Sequence, residues 1–192
     1  KEDNYTFVRA DIREGKKLAQ IFKRHRPTHV IHFAAESHVD TSIIHPHIFV
    51  ETNVLGTLNL LNCAREFKVA RFHHISTDEV YGSLSRSEKP AKETALLNPG
   101  NPYSASKAAA DLLVLSYHNT FGLDVVITRS SNNYGRGQHT EKFIPLFITS
   151  FAKGKSAPLY GDGNNIRDWI YVEDNVKGID TVFHKGNAGE IY

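Results

Sequence analysis

Apolar positions recur in two patterns along most of the chain. Short β-branched runs, such as residues 29–33 and 123–128, are typical of buried strands. Longer segments with apolar residues every three or four positions predict amphipathic helices. Strands are expected at 5–8, 29–33, 71–76, 123–128, near Leu159, at 166–172 and at 190–192. Helices are expected at about 14–25, 47–67, 103–121, 142–153 and 173–184.

This alternation of strand and helix predicts the fold class. Parallel strands joined by right-handed crossovers place helices on both faces of the sheet. We therefore expect an α/β fold, a doubly wound parallel sheet of the Rossmann-like kind. In such sheets ligands bind beyond the carboxyl ends of the strands. The loops after Phe33, Ser76 and Thr128 are thus the predicted place for chemistry.

Composition narrows the class of protein. The 192 residues carry a formal net charge of +2 with the signs mixed along the chain. Such a chain lacks the broad basic field of a nucleic-acid binder, and no apolar run is long enough for a membrane span. The single cysteine, Cys63, excludes an internal disulfide framework and fits a reducing compartment. These features predict a soluble, cytoplasmic protein with no nucleic-acid or membrane partner.

Two familiar kinds of site are not indicated by the sequence. The glycine pairs that begin at Gly135 and Gly161 lack the third glycine of a G-x-G-x-x-G loop, and the Gly-Lys-Ser run at Gly154 lacks the first glycine of a Walker A loop. No H-E-x-x-H pattern occurs, and the neighbours His73 and His74 would point to opposite faces of a strand. No metal site is predicted.

A tyrosine and a lysine begin the helix predicted at 103–121. Pro102 suits the first position of a helix, and Tyr103 and Lys107, four residues apart, share one helix face. A nearby ammonium favours the phenolate and lowers the pKa of a tyrosine from its usual ~10. Such a tyrosine can take a proton from a hydroxyl while hydride leaves the same carbon. The alternative is a tyrosine packed on the sheet beside a solvated lysine, a spacing that often arises by chance.

A hydroxyl and two carboxylates follow the strand predicted at 71–76. Thr77, Asp78 and Glu79 come directly after its last residue, where ligand chemistry is expected. The alternative is that Thr77 or Asp78 only caps a helix.

Taken together, these segments resemble the extended short-chain dehydrogenase/reductase superfamily and, within it, the nucleotide-sugar 4,6-dehydratases. Several matches in the right order over essentially the whole chain are more specific than any one of them. The matching segments are 10–12, 33–40, 51–57, 76–82, 102–107, 131–135, 141–142, 158–163 and 167–169.

The resemblance implies a fragment that lacks the N-terminal dinucleotide loop and part of the C-terminal substrate lobe. The absence of methionine agrees with an internal piece of a longer protein. Residues 1–130 would form the NAD-binding, Rossmann-like core. Residues 131–192 would be a mixed segment that contributes to the substrate lobe and to the sheet.

The resemblance also implies a reaction, the dehydration of dTDP-glucose with bound NAD. Tyr103 would remove the proton of the sugar 4-hydroxyl while C4 gives hydride to NAD. Lys107 would lower the pKa of Tyr103 and hold the nicotinamide ribose, and Thr77 would bond the 4-oxygen. Glu79 would then act as the base at C5 and Asp78 as the acid at the C6 oxygen. Return of the hydride to C6 gives dTDP-4-keto-6-deoxy-glucose.

The resemblance also implies a set of binding residues. It further implies a homodimer that forms through the helices at 47–67 and 103–121. The planar fork of Arg167 suits a diphosphate, the alternative being a surface ion pair with Asp168. For the cofactor the implied contacts are Asp11, Ile12, Phe33, Ala34, Ala35, Glu36, Ser37, Thr52, Tyr103, Lys107 and Asn133. For the nucleotide-diphosphate sugar they are Ser37, Thr77, Asn132, Glu141, Lys142, Phe143, Pro158, Leu159, Tyr160 and Arg167.

One loop departs from the family pattern and leaves specificity open. Arg136, Gly137 and Thr140 stand where the family carries prolines and an aromatic residue, so the loop loses rigidity and gains a charge.

The sequence leaves three alternative functions. A nucleotide-sugar 4-epimerase shares the Tyr-x-x-x-Lys pattern but has no use for the pair Asp78 and Glu79. A GDP-mannose-type dehydratase tends to lack the aspartate. A catalytically silent NAD-binding or scaffold fragment is the alternative from another class.

Overall fold

The computed structural model of the chain describes residues 4–85, 87–159 and 161–192. Its strands are β1 (His29–His32), β2 (Arg71–Thr77), β3 (Val125–Ser130), β4 (Asn132–Tyr134) and β5 (Trp169–Tyr171). Its helices are α1 (Gly15–His25), α2 (Val39–Ile44), α3 (Pro46–Phe49), α4 (Thr57–Glu66), α5 (Pro102–Phe121), α6 (Phe143–Ala152) and α7 (Val172–Lys185).

The main sheet is parallel, in the order β1-β2-β3, which confirms the predicted α/β class. Apolar side chains fill the space between this sheet and helices α1, α4 and α5; Leu61, Phe72 and Val114 are fully buried there. The predicted C-terminal strand lies along β3, where Ile191 bridges Ile127 in parallel. The carboxyl ends of β1, β2 and β3 therefore lie at one edge of the sheet.

A second, two-stranded parallel sheet joins β4 to β5. The register pairs Asn132 with Trp169 and Asn133 with Ile170. Because β4 begins two residues after β3 ends, this sheet continues from the same edge at which the β2–α5 loop begins. Segments far apart in sequence thus meet beside the carboxyl end of β2.

Two predicted strands are absent from the described residues. Residues 5–8 have no regular secondary structure and pair with no described strand, and Tyr5 and Phe7 are exposed. A strand needs a hydrogen-bonded neighbour to be stable, and the apolar pattern alone does not supply one. The strand predicted near Leu159 is also not formed by residues 156–159, which are mostly exposed.

The long helix predicted at 47–67 contains an irregular turn. α3 passes into a π-helical segment, Val50–Gly56, and then into α4. A Cβ on Gly56 would lie 2.6 Å from the side chain of Ile12, so a larger residue at this position would force that side chain to shift. The wider turn presents Asn53 to the loop that follows β1, as described below.

Within residues 4–85, 87–159 and 161–192, no helix is both long enough and apolar enough to cross a bilayer. The same residues contain no group of three or more histidine, cysteine or acidic side chains arranged to hold a metal ion.

Candidate active site

Thr77 ends β2 and starts a tight turn that carries two carboxylates. Its backbone is extended, and its hydroxyl accepts a hydrogen bond from the amide of Glu79 at 3.2 Å. The same hydroxyl donates to Asp78 at 3.3 Å. A 3-10 turn, Asp78–Tyr81, follows. Thr77 therefore does cap this turn, as the structural alternative predicted, and the cap fixes Asp78 and Glu79 at the edge of the sheet.

The start of α5 is built to hold Tyr103 against this turn. Asn101 and Ser104 form a reciprocal capping box, and Pro102 occupies the first helical turn. The Asn101 amide also donates to Glu79 at 3.4 Å. The helix cap and the acid-bearing turn are therefore linked by a direct hydrogen bond.

Tyr103 is half-buried and lies close to acidic side chains. The neighbouring hydroxyl of Thr77 favours the phenolate, but burial and the nearby carboxylate of Glu79 act more strongly. Together they raise the pKa of Tyr103 to about 12. This direction is opposite to the low pKa expected from the pairing with Lys107.

The physical reason is the direction of the Lys107 side chain. Its ammonium donates to the backbone carbonyl of Ile75 at 2.7 Å and lies 3.5 Å from a ring nitrogen of His74. Burial lowers the pKa of Lys107 to about 8, while the carboxylate of Asp111 acts in the other direction. Four-residue spacing places Tyr103 and Lys107 on one helix face, but it does not decide where the ammonium points.

Asp78 is the carboxyl group of this turn whose pKa is raised. Burial raises its pKa, and the charges of Glu79 and of Asp168 raise it further. Asp168 comes from the segment before β5, so the second sheet contributes to this site. A carboxyl with a raised pKa suits proton donation to a leaving group.

The loop after β1 carries five of the eleven predicted cofactor residues, and it is held by a residue that the sequence analysis missed. The buried side chain of Asn53 accepts from the amide of Glu36 at 2.8 Å and donates to its carbonyl at 2.9 Å. It also donates to the hydroxyl of Ser106 on α5 at 2.8 Å. A polar residue in a largely apolar helix was the available signal, and only Thr52 beside it was singled out.

Other predicted cofactor residues are more scattered. Asp11 is held by Arg13 at 2.7 Å, and these hydrogen bonds lower the pKa of its carboxyl. Ile12 packs beside Gly56, and Thr52 is half-buried. Phe33 and Ala34 are exposed at the end of β1, with Ala35, Glu36 and Ser37 following them.

The segment predicted to bind substrate meets the loop after β1 at one point. The ammonium of Lys142 donates to the carbonyl of Ser37 at 3.3 Å and lies 3.5 Å from Glu141. The ring of Phe143 packs at a tilt against that of Trp169, with ring centroids 5.9 Å apart, so α6 and β5 form one surface. Segments that the resemblance assigned to the cofactor and to the substrate are therefore in contact.

The remaining predicted substrate residues are less closely gathered. Asn132 lies in β4, whereas Pro158 and Leu159 are exposed, and Tyr160 falls outside the described residues. The exposed Arg167 donates to the carbonyl of Ile166 at 2.9 Å. The departing loop residues Arg136, Gly137 and Thr140 are all exposed.

The arrangement joins a phenol, an alcohol and two carboxyl groups at one edge of a parallel sheet, with a buried lysine beneath it. Such a set can move protons to and from hydroxyl and carbon positions of a single small substrate.

Comparison with known proteins shows the family to which the chain belongs. The family model described as GDP-mannose 4,6 dehydratase matches residues 1–192. The chain belongs to this family.

Several individual proteins are similar to this chain over nearly its whole length. A dTDP-glucose 4,6-dehydratase from Haemophilus influenzae is 49% identical over 98% of this chain and 58% of its own length. The crystal structure of DesIV, a dTDP-glucose 4,6-dehydratase from Streptomyces venezuelae with NAD and TYD bound, has a TM-score of 0.94 and 49% identity over 100% of this chain and 58% of that one. A UDP-glucose 4-epimerase from Thermus thermophilus, in complex with NAD, has a TM-score of 0.89 and 32% identity, and the match covers 100% of this chain and 65% of that one. The chain thus spans somewhat more than half the length of these relatives.

Proposed function

We propose that the full-length protein dehydrates dTDP-glucose to dTDP-4-keto-6-deoxy-glucose. The observation that carries the proposal is that Thr77, Asp78 and Glu79 share one turn, which Asn101 links by a hydrogen bond to the start of the helix that carries Tyr103. The similarity to dTDP-glucose 4,6-dehydratases over 98% of the chain supports the choice of substrate. Asp78 and Glu79 favour elimination of water over epimerisation, which needs no such acid and base.

The residues at the sheet edge fit a nicotinamide dinucleotide. The side-chain oxygen of Asn133 is buried and has no hydrogen-bond partner among the described residues. A lone acceptor of this kind fits an amide donor such as a nicotinamide carboxamide. Phe33 and Ala34 leave open surface at the carboxyl end of β1, where dinucleotides bind in doubly wound sheets. We therefore assign NAD as the cofactor.

NAD, when bound, accepts hydride from C4 of the sugar, returns it at C6 and brings a positive charge to the site. In the first step the Thr77 hydroxyl orients the 4-oxygen and Tyr103 takes its proton. The raised pKa of Tyr103 makes the phenolate a strong base once formed, and a cation beside it favours its formation.

The ketone then makes the C5 hydrogen acidic, and the two carboxyl groups act on opposite ends of the C5–C6 bond. Glu79 removes the C5 proton, and Asp78, whose pKa is raised by burial, protonates the departing C6 hydroxyl. Lys107 contributes a buried positive charge, and its ammonium, which donates to the carbonyl of Ile75, would hold the nicotinamide ribose with a further proton.

Substrate specificity is tested by incubating the full-length protein with dTDP-, UDP- and GDP-hexoses and following mass. Loss of one water from the dTDP sugar alone is expected. An unchanged mass with a new stereoisomer would replace the proposal by the epimerase. Loss of water from the GDP sugar instead would move the substrate assignment to a GDP-mannose-type reaction.

We also infer that the protein assembles as a homodimer through α5 and the helical stretch 46–66. Three apolar residues on these elements are about half exposed: Val50, Leu55 and Leu112. A second copy of the chain would cover them. Sedimentation of the full-length protein at the mass of a monomer would contradict this inference.

A further inference from the structure

A buried ion pair that the proposed mechanism does not use lies beneath the site. Asp111 stands one helical turn after Lys107 on α5, and Arg129 lies near the end of β3. Their closest atoms are 2.9 Å apart, and the two side chains are 0% and 4% exposed. Removing two charges from water is costly, and a buried pair often gives little net stability. The contacts of this pair indicate a role other than stability.

Arg129 connects α5 to the turn that carries the two carboxylates. While one guanidinium nitrogen donates to Asp111, another donates to the hydroxyl of Tyr81 at 2.7 Å. The guanidinium carbon also lies 4.9 Å from the centre of the Tyr81 ring. Tyr81 is the last residue of the 3-10 turn that contains Asp78 and Glu79. One planar group thus holds two separate segments at a fixed distance.

Asp111 also links the ion pair to Lys107, through His74. Its second carboxylate oxygen lies 3.5 Å from His74, whose ring nitrogen is 3.5 Å from the Lys107 ammonium. Lys107 and Arg129 are both buried cations, and Asp111 supplies a negative charge to each of them. The loss of this carboxylate would leave two like charges buried near each other.

We propose that Asp111 and Arg129 are positioning residues that set the acid-bearing turn, Asp78–Tyr81, against the Tyr103 face of α5. The role rests on the proposed function, because it matters only if Tyr103 and Glu79 act on one sugar. A displacement of about 1 Å between reacting groups can cost on the order of 100-fold in rate. The pair therefore governs turnover rather than substrate affinity.

The experiment uses two mild variants of the full-length protein. Tyr81→Phe keeps the ring but removes the 2.7 Å hydrogen bond, and Arg129→Lys keeps the charge but cannot reach both partners with one rigid fork. The matched control is Arg71→Lys. Arg71 also forms an ion pair at 2.9 Å, with Asp124, which is more exposed than the Asp111–Arg129 pair; both residues lie at the opposite end of strands β2 and β3 from the acid-bearing turn.

Two readouts are taken, kcat and KM for water loss and the hydrogen exchange of the turn amides at residues 79–82. Both test variants are expected to lower kcat on the order of 10- to 100-fold with KM little changed, and to speed exchange in the turn. Arg71→Lys is expected to lower thermal stability while leaving kcat and turn exchange as in the wild type.

Wild-type kcat and wild-type exchange in both test variants would overturn the proposal. So would an equal loss of kcat in Arg71→Lys, because that result would reduce the effect to general stability. If the wild-type protein loses no water from dTDP-glucose, the proposed function fails separately. The exchange of the turn amides then decides alone whether the pair holds the turn.

Discussion

Replacing Glu79 by Gln separates the two halves of the proposed reaction. Glutamine keeps the size of the side chain and can still accept the hydrogen bond that Asn101 donates at 3.4 Å. The turn should therefore retain its shape, and only the proton-accepting charge is lost. The variant is expected to oxidise the sugar at C4 but to fail at removal of the C5 proton.

The expected loss of rate follows from the proposed role of Glu79 as a general base. Loss of a positioned general base costs roughly 100- to 10,000-fold, which is about 3–5 kcal/mol in the activation barrier for water loss. The first step should change in the opposite direction. After burial, the Glu79 charge is the largest influence that raises the pKa of Tyr103. Its removal lowers that pKa, and each unit makes the phenolate about tenfold more abundant below it.

The assay follows reduced cofactor by its absorbance and water loss by mass spectrometry in the same single turnover. Glu79→Gln should accumulate reduced cofactor at least as fast as the wild type and release water far more slowly. Glu88→Gln, a change in the exposed loop between β2 and α5, serves as the control and should behave as the wild type. Water loss at the wild-type rate in Glu79→Gln would refute the base assignment.

Further predictions concern His32 and Asn101. Burial lowers the pKa of His32 to about 3 from 6.5 in the unfolded chain, so the unfolded state binds more protons in this window and stability is lost as pH falls through 6.5. Between pH 7 and pH 5 the wild type should lose about 2 kcal/mol more unfolding free energy than His32→Gln, and parallel pH profiles in denaturant titrations would contradict this. Asn101→Ala removes the cap of α5 and should cost about 1 kcal/mol, whereas Asn101→Ser keeps a capping hydroxyl but loses the bond to Glu79, so it should slow turnover with less loss of stability. Equal stability of Asn101→Ala and the wild type would show that the cap contributes nothing.

Local pattern was sufficient wherever a segment's own residues decide its conformation. Pro102 after Asn101, followed by small and apolar residues up to Gly122, predicts a helix whose ends the structure places at Pro102 and Phe121. The β-branched run at 123–128 predicts a buried strand, and β3 forms over Val125–Ser130. The order of strands and helices was then enough to place Thr77, Asp78 and Glu79 at the edge of a parallel sheet.

Local pattern failed wherever a partner from another segment decides the outcome. Residues 5–8 look like a strand, but a strand exists only beside another, and none of the described residues pairs with them. The segment at 47–67 reads as one regular helix, yet Asn53 reaches the backbone of Glu36 from a π-helical turn that no periodicity indicates.

The sequence by itself determined which chemical groups the site contains and on which elements they stand, because spacing along helices and strands sets their faces. Only the tertiary structure decided their electrostatic state. Burial and the carboxylate of Glu79 raise the pKa of Tyr103, while Lys107 turns its ammonium to Ile75. Desolvation and charge interactions depend on distances through space, and residues far apart in the chain supply them.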